Sequence, residues 1–352
     1  MDRSRFEFHL FHVGAYQDGE TSSAAALSDR FVGGARTLGE WVAAIRASKP
    51  DVLIFPEVGM DTTTLRLAAL RLAPHQLAAW GHPETTGLPT IDHYLSAEAF
   101  EPPGAQAHYT ERLQRLPRLG CCYEPYGSAV AEPDRATAAD LHSLLGTGMD
   151  KAALLICPGV PFKYAPQHDQ VLAQIARRLG RCRLVFFNHP TTTASARLAA
   201  RLARTFAQAG LEPERYLRFL EWLPRPQFFE LLRRADACLD TIGFSGFNTA
   251  MQCLECGLPI VAYRGAYMRG RFASGVLETL GLPELVAQED SDYVERAVRL
   301  AQDPAWRTRL RGELLSRGAR AFADQAPIDA LERLLLGLST ASGRPLAREA
   351  TA

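Results

Sequence analysis

The chain has 352 residues, 47% of them hydrophobic, which suits two α/β domains of about 150 residues, each with its own core. Lys and Arg total 39, and so do Asp and Glu, so no net field draws the chain to nucleic acid or to an anionic membrane, and neither is expected as a partner. No apolar stretch approaches the roughly 20 residues that span a bilayer, and Met1-Asp2-Arg3-Ser4-Arg5 leads into a strand rather than a signal peptide; a cytoplasmic, bacterial-type enzyme is the expectation.

Strand and helix patterns alternate along the chain. Phe6–His12 has the period of a strand; a polar loop carrying Asp18-Gly19-Glu20-Thr21 follows, then a helix over Leu38–Ser48. Asp51–Phe55 is an unbroken apolar run of the kind buried on both faces of a parallel sheet. It ends in Pro56-Glu57-Val58-Gly59, a strand terminus where ligands gather in open α/β sheets. A helix over 63–72, a strand over His75–Trp80, the loop Gly81–Gly87 and a short strand at Tyr94–Ser96 complete residues 1–147, the first expected domain. Residues 127–148 are rich in Ala, Ser, Asp and Gly and read as a linker with a short helix.

The second expected domain, residues 148–338, opens on the buried strand Ala152–Cys157 and its loop Pro158–Lys163. A helix over 165–179, the strand Leu184–Phe187, a helix carrying Leu198, Leu202 and Phe206 on one face, the strand Tyr216–Leu220 and a helix over 225–234 follow. Residues 339–352 read as a frayed tail. Two parallel sheets with right-handed crossovers are predicted.

The stretch Asp240–Thr249 carries the most information. A buried strand, Ala237–Leu239, runs into a loop of small and hydroxyl residues, and a helix opens near Asn248-Thr249 and stops at Gly257-Leu258-Pro259. Unpaired first-turn N–H groups and the helix dipole make such a start an anion site; a capped turn without a ligand is the alternative. Lys163 could neutralise a diphosphate from the neighbouring strand end, or be an ordinary surface lysine. His12 and Asp18, at the end of the first strand and in its loop, are general-base candidates, against readings as a strand-end histidine and a turn residue.

Metal and redox chemistry find little support. Cys157, Cys182 and Cys238 lie in apolar strands, where thiols behave as small hydrophobes. Cys253 and Cys256 form a single C-x-x-C within a helix. His9 and His12 point to opposite faces of a strand, and no helix carries an H-x-x-x-H pair. Asp290-Ser291-Asp292 has D-x-D form but precedes a periodic helix and reads as its cap.

Several ordered motifs resemble the catalytic region of O-linked N-acetylglucosamine transferases, glycosyltransferase family 41, bacterial branch. They are Trp80–Gly87 with Ile91-Asp92, His108–Pro117, Phe162-Lys163, Ala235–Thr241, Asn248-Thr249, Met268–Arg271, and Gly281–Ala287 with Tyr293-Val294, and the match runs from about Asp51 to Asp303. The resemblance implies a GT-B architecture, with two Rossmann-like domains facing across a cleft, and inverting, metal-independent transfer from a nucleotide sugar to a protein or peptide. UDP-N-acetylglucosamine is the favoured donor, and no cofactor is implied. Lys163 matches the diphosphate-binding lysine, and Asn248 and Thr249 match the phosphate-binding pair at the helix start. Ser245, Gly246, Phe247, Arg225 and Gln252 fall beside them as further donor-site residues. The loop holding His82 matches the one beside the donor sugar and acceptor.

The departures from that pattern are specific. The family's region begins one strand earlier, with a loop histidine that has no counterpart here, and no tetratricopeptide repeats precede the domain. Phe247 and Phe228 stand where animal enzymes have histidines, Gln252 where a carboxylate is usual, and Arg225 where a lysine is usual. A non-catalytic sugar-nucleotide-binding or scaffolding remnant is therefore the rival expectation, and an epimerase or hydrolase on the same fold ranks below both.

Overall fold

The computed structural model of the chain describes residues 1–126, 144–145 and 152–341. The expected linker around 127–148, the boundary at 147/148 and most of the tail over 339–352 lie outside the described residues. The chain forms two compact units, one of Met1–Cys121 with the segment from Gln325 onward, the other of Cys122–Asp324.

The first unit contains β1 (His9–His12) paired with β2 (Arg30–Gly33), and a four-stranded sheet of β3 (Val52–Phe55), β4 (His75–Ala79), β5 (His93–Ala97) and β6 (Arg112–Leu116) in sequential order. Every pairing is parallel. Gly19–Ala26 is a helix where the sequence reads as loop, and β2 follows it. That helix buries no side chain, so it has no apolar stripe to betray it; what starts it is a capping box between Asp18 and Thr21.

The helix Ala326–Ala341 corrects the expectation that the second domain runs to residue 338. Its Leu335 packs with Leu77 and Leu95 of the first unit, joined by Met1, Phe6, Val52 and Ile54. The N–H of Asp2 donates to Glu332 at 2.6 Å on the same helix. Burial of this apolar stripe on the exposed face of the β3–β6 sheet explains the allegiance.

The second unit is a six-stranded sheet in the order β12-β11-β10-β7-β8-β9, built from β7 (Ala153–Ile156), β8 (Cys182–Phe187), β9 (Leu217–Leu220), β10 (Ala237–Leu239), β11 (Ile260–Tyr263) and β12 (Val286–Ala287). All its ladders are parallel. Helices cover both faces, which is why Leu155, Ile156, Leu184, Val185 and Val261 are wholly buried and the strands show no alternation. Numbered from β7, the order is 3-2-1-4-5-6, the doubly wound arrangement whose direction reverses between β7 and β10. No helix among the described residues is long and apolar enough to cross a membrane.

Candidate functional site

At the reversal, the loop after β7 and the loop after β10 leave adjacent strand ends and touch each other, at the carboxyl end of the sheet where ligands collect in doubly wound folds. The first loop ends in a turn of 3-10 helix, Pro161–Lys163. It delivers the Lys163 ammonium to the second loop, where Nζ donates to the Ser245 carbonyl at 3.2 Å and sits 4.3 Å from the centre of the Phe244 ring. Burial pulls the Lys163 pKa below its ordinary value, and the charge of Asp240 opposes that shift.

Asp240 organises the second loop. Its carboxylate accepts from the Gly246 N–H at 3.0 Å and from the Ser245 hydroxyl. Its carbonyl takes the Tyr293 hydroxyl at 2.7 Å, which ties the loop to the helix Asp290–Gln302. Ser245 is wholly buried, and its Oγ accepts from Ala273 N–H at 2.8 Å while its own N–H donates to the Arg269 carbonyl at 2.7 Å. Its side chain thus serves the loop, and Ser245 meets the Lys163 ammonium through its backbone. Gly246 is required sterically, since a Cβ there would lie 2.3 Å from Thr249 Oγ1.

The helix Phe247–Glu255 begins directly after this loop, one residue before its predicted start, and no side chain caps it. Its ladder opens with Ala250 N–H on the Gly246 carbonyl at 3.2 Å, so the amides of Asn248 and Thr249 precede the first helical bond. Asn248 is exposed and Thr249 and Gln252 are half-buried, Gln252 lying one turn further on. Phe247 packs edge-on against Tyr123 at 5.8 Å and Phe272 at 6.1 Å. Arg225 starts the helix Arg225–Arg234, with its guanidinium 4.0 Å from the Tyr126 ring centre. Tyr126 meets Tyr123 at 6.3 Å, so a run of rings links the perch of Arg225 to Phe247. Phe228 packs against Phe187 at 5.5 Å.

Of the residues the sequence proposes in this unit, the structure joins Lys163, Ser245 and Gly246 directly, with Asn248, Thr249 and Gln252 along the helix they lead into. Asp240 carries no role in the sequence reading; the signal for it is an acid closing the apolar run Ala237–Leu239 at the strand where the sheet reverses.

In the first unit, the loops after β3 and β4 meet. Gly81 N–H donates to the Pro56 carbonyl at 3.0 Å, and a side chain on Gly81 would come within 2.5 Å of that oxygen. Gly59 has φ +128°, and a Cβ there would lie 2.9 Å from the His82 ring, so glycine makes room for the imidazole. Glu57 accepts from the Met60 N–H at 2.8 Å. The rest of the loop is braced on Glu111, which is 3% exposed and accepts from Thr85 Oγ1 at 2.7 Å and Thr86 N–H at 2.7 Å. Burial acts to raise the Glu111 pKa, but the bonds from Thr86 and Thr85 outweigh it and hold the carboxyl below its ordinary value.

The two base candidates at the first strand have other duties. His12, at the end of β1, bonds the Tyr16 carbonyl through Nε2 at 3.0 Å and stacks on Phe31. Asp18 caps the helix Gly19–Ala26, accepting from Thr21 N–H at 2.9 Å and Thr21 Oγ1 at 3.0 Å. These bonds, the backbone one foremost, lower its pKa, so Asp18 is a weak base whose proton uptake would undo a cap. Asp290 and Asp292 lie in the first turn of the helix Asp290–Gln302, where Asp292 accepts from Gln288 N–H at 3.2 Å and pairs with Arg296. Cys253 is fully buried and its thiol is held protonated by burial; for Cys256 burial pushes the pKa to about 12.

The family model "Glycosyl transferase family 41" matches residues 144–323, the unit that holds Lys163 and the uncapped helix. The chain belongs to glycosyltransferase family 41. Among curated relatives of this family 41 chain is a protein of Petunia hybrida named "Probable UDP-N-acetylglucosamine--peptide N-acetylglucosaminyltransferase SPINDLY", 31% identical over 77% of the chain and 28% of that protein. A "UDP-glucose:protein N-beta-glucosyltransferase" of Actinobacillus pleuropneumoniae is 26% identical over 74% of the chain and 40% of that protein. The chain thus spans well under half the length of these relatives. A mutant O-GlcNAc transferase of Thermobaculum terrenum superposes with a TM-score of 0.80 at 27% identity, covering 97% of the chain and 64% of that structure. Sucrose-phosphate synthase of Thermosynechococcus elongatus, at 15% identity and a TM-score of 0.55 over 87% of the chain and 79% of that structure, shares the fold alone. The fold is GT-B.

Proposed function

We propose that this family 41 chain carries out inverting transfer of a sugar, N-acetylglucosamine in first place, from a uridine diphosphate sugar to a protein or peptide side chain, without a metal ion. The observation that carries the reading is the pairing of a half-buried ammonium with an uncapped helix start at the sheet reversal. Lys163 is bonded to the loop that leads into this helix, and the ammonium and the unpaired first-turn amides both supply positive potential to a diphosphate bound there.

In such a reaction the acceptor atom attacks the anomeric carbon from the face opposite the diphosphate. The bond from that carbon to the diphosphate oxygen breaks, and the oxygen leaves with the electron pair. Charge therefore grows on the leaving group, and Lys163 and the helix start stabilise it as it grows. Gln252, one turn along, is assigned to the ribose hydroxyls, and Arg225 to the nucleotide base. His82 is assigned to the sugar and acceptor side, whereas the Thr21 bonds hold Asp18 as a carboxylate of low basicity.

The test is incubation of the purified chain with UDP-N-acetylglucosamine or UDP-glucose and a mixed peptide pool, followed by mass spectrometry. One N-acetylhexosamine per modified peptide is the expected increment. A hexose increment from UDP-glucose alone would replace the donor and keep the reaction. Unmodified peptides with both donors, and no UDP released, would overturn the proposal.

A further inference from the structure

The loop Gly81–Gly87 is held at its start by the Pro56 carbonyl and further along by Glu111. Between these ties a third bond falls on His82 itself, whose carbonyl accepts the Tyr94 hydroxyl at 2.7 Å and the Glu84 N–H at 2.9 Å. Tyr94 belongs to β5 and is wholly buried. Its ring centre lies 4.7 Å from that of Tyr109, and the Tyr109 hydroxyl donates to Glu101 Oε1 at 2.6 Å. Ser96, two residues along β5 and so on the same face as Tyr94, donates to the same oxygen at 2.5 Å. A column of buried polar and aromatic groups therefore runs from Glu101 through Tyr109 and Tyr94 to the backbone of His82.

This column is costly to bury. Glu101 is 7% exposed, no cation pairs with it among the described residues, and its Oε2 has no hydrogen-bond partner among them. A carboxylate in that setting loses hydration that two bonds replace only in part, and apolar side chains of similar volume would avoid the loss. Burial first, and the negative charge of Glu101 after it, push the pKa of both tyrosines up, so both hydroxyls remain donors. What the polar groups provide in return is direction, since a chain of buried hydrogen bonds admits one arrangement where an apolar core admits several. The end of the chain is the residue whose ring lies over Gly59.

We propose that Tyr94 is a positioning residue for His82: supported by Tyr109 and Glu101, it fixes the His82 backbone so that the imidazole over Gly59 meets the acceptor in one orientation. The proposal rests on the reading of the chain as a protein glycosyltransferase with His82 on the sugar and acceptor side. Such support acts on the chemical step, because a displacement of about 1 Å at a reacting group can cost roughly 100-fold in rate. Donor affinity does not depend on it, since Lys163 and the helix start belong to the second unit.

The experiment is a double-mutant cycle of Tyr94→Phe and His82→Ala, with each protein's fold verified by circular dichroism. Tyr94→Phe keeps the ring and deletes the bond to His82. It lowers kcat about tenfold, less than the full 100-fold because the other two ties remain, while the donor KM and UDP affinity stay within about twofold. In the His82→Ala background the same change costs less than about twofold. A loss that persists in that background, or one that appears in the donor KM, overturns the proposal. Tyr109→Phe keeps the ring stack and deletes the bond to Glu101; it gives the same split with a smaller fall in kcat, and serves if Tyr94→Phe does not fold. A second measurement is independent of turnover: the ring carbon signal of His82 in ¹³C-histidine-labelled protein, assigned by its absence in His82→Ala. It moves or broadens in Tyr94→Phe, and an unchanged signal overturns the proposal. A wild type that transfers no sugar refutes the transferase reading, yet the spectra still decide whether Tyr94 fixes His82. A His82→Ala protein that transfers sugar at the wild-type rate leaves the transferase reading standing and overturns the role of Tyr94.

Discussion

Replacing Asp240 by asparagine should change how stability depends on pH, by an amount the structure sets. Asp240 is 7% exposed, and burial, the largest influence, raises its carboxyl from 3.8 to about 6; the bonds from Ser245 and Gly246 and the charge of Lys163 pull the other way. Lys163 is also shifted toward its neutral form by burial. Lost hydration therefore outweighs the attraction within this pair. A carboxyl whose pKa is raised by folding binds its proton more tightly in the folded state. Its contribution is fully present below about pH 3.8 and is lost as pH rises through about 6. Two pKa units correspond to about 3 kcal/mol. Asp240→Asn keeps an oxygen for the Gly246 N–H and deletes the titration. In urea unfolding between about pH 4 and pH 7.5, the stability of the variant minus that of the wild type should climb by about 2.5 kcal/mol toward neutral pH. Every unchanged group cancels in that difference. A difference that stays level across the range would show that Asp240 titrates like a solvated acid, and the reasoning about the loop would fail.

Three further outcomes follow from the same geometry. Gln252→Glu should tighten UDP binding by about 1 kcal/mol, because a carboxylate accepts two charge-assisted bonds from ribose hydroxyls where an amide offers one oxygen; side-by-side calorimetry giving equal affinities would return Gln252 to an ordinary helix residue. UDP and UDP-N-acetylglucosamine should bind equally well in EDTA and in added Mg²⁺ or Mn²⁺, and binding that appears only with the ion would refute the metal-free reading. Gly246→Ala should lower stability by about 1–3 kcal/mol, the usual cost of forced overpacking, since its Cβ would meet Thr249 Oγ1 at 2.3 Å; an unchanged melting profile and UDP affinity would show that the helix start tolerates displacement.

The second unit was legible because its signals are local. Continuous apolar runs such as Leu154–Cys157 and Leu184–Phe187 end at Gly, Pro or polar residues, and the helix Arg225–Arg234 lies where the pattern puts it. The first unit was harder. The helix Gly19–Ala26 has no apolar face, and its only announcement, Asp18 followed by Thr21, was open to reading as a base on a loop. β6 carries Arg112, Gln114 and Arg115 among its five residues, and its polar pattern hides a strand that pairs with β5 along its whole length. Local pattern could not show that the helix Ala326–Ala341 returns to the first unit, because that depends on which distant face it covers. At the site, residue type pointed to Lys163 and the helix start, whereas the direction of a side chain did not follow from type. Ser245 turns its hydroxyl inward to Ala273 and Asp240, and Asp240, unassigned from the sequence, is the group on which the loop is built.

The most direct measurement is the rate of sugar transfer from saturating UDP-N-acetylglucosamine by Lys163→Ala, with folding verified by circular dichroism. Lys163 is held to stabilise the departing diphosphate, and the loss of one such contact is typically worth about 3–4 kcal/mol. The rate should therefore fall by a factor of roughly 10²–10³ while the fold persists. A folded Lys163→Ala protein that transfers sugar within a few-fold of the wild-type rate would contradict the assignment of the sheet reversal as the site where the diphosphate leaves.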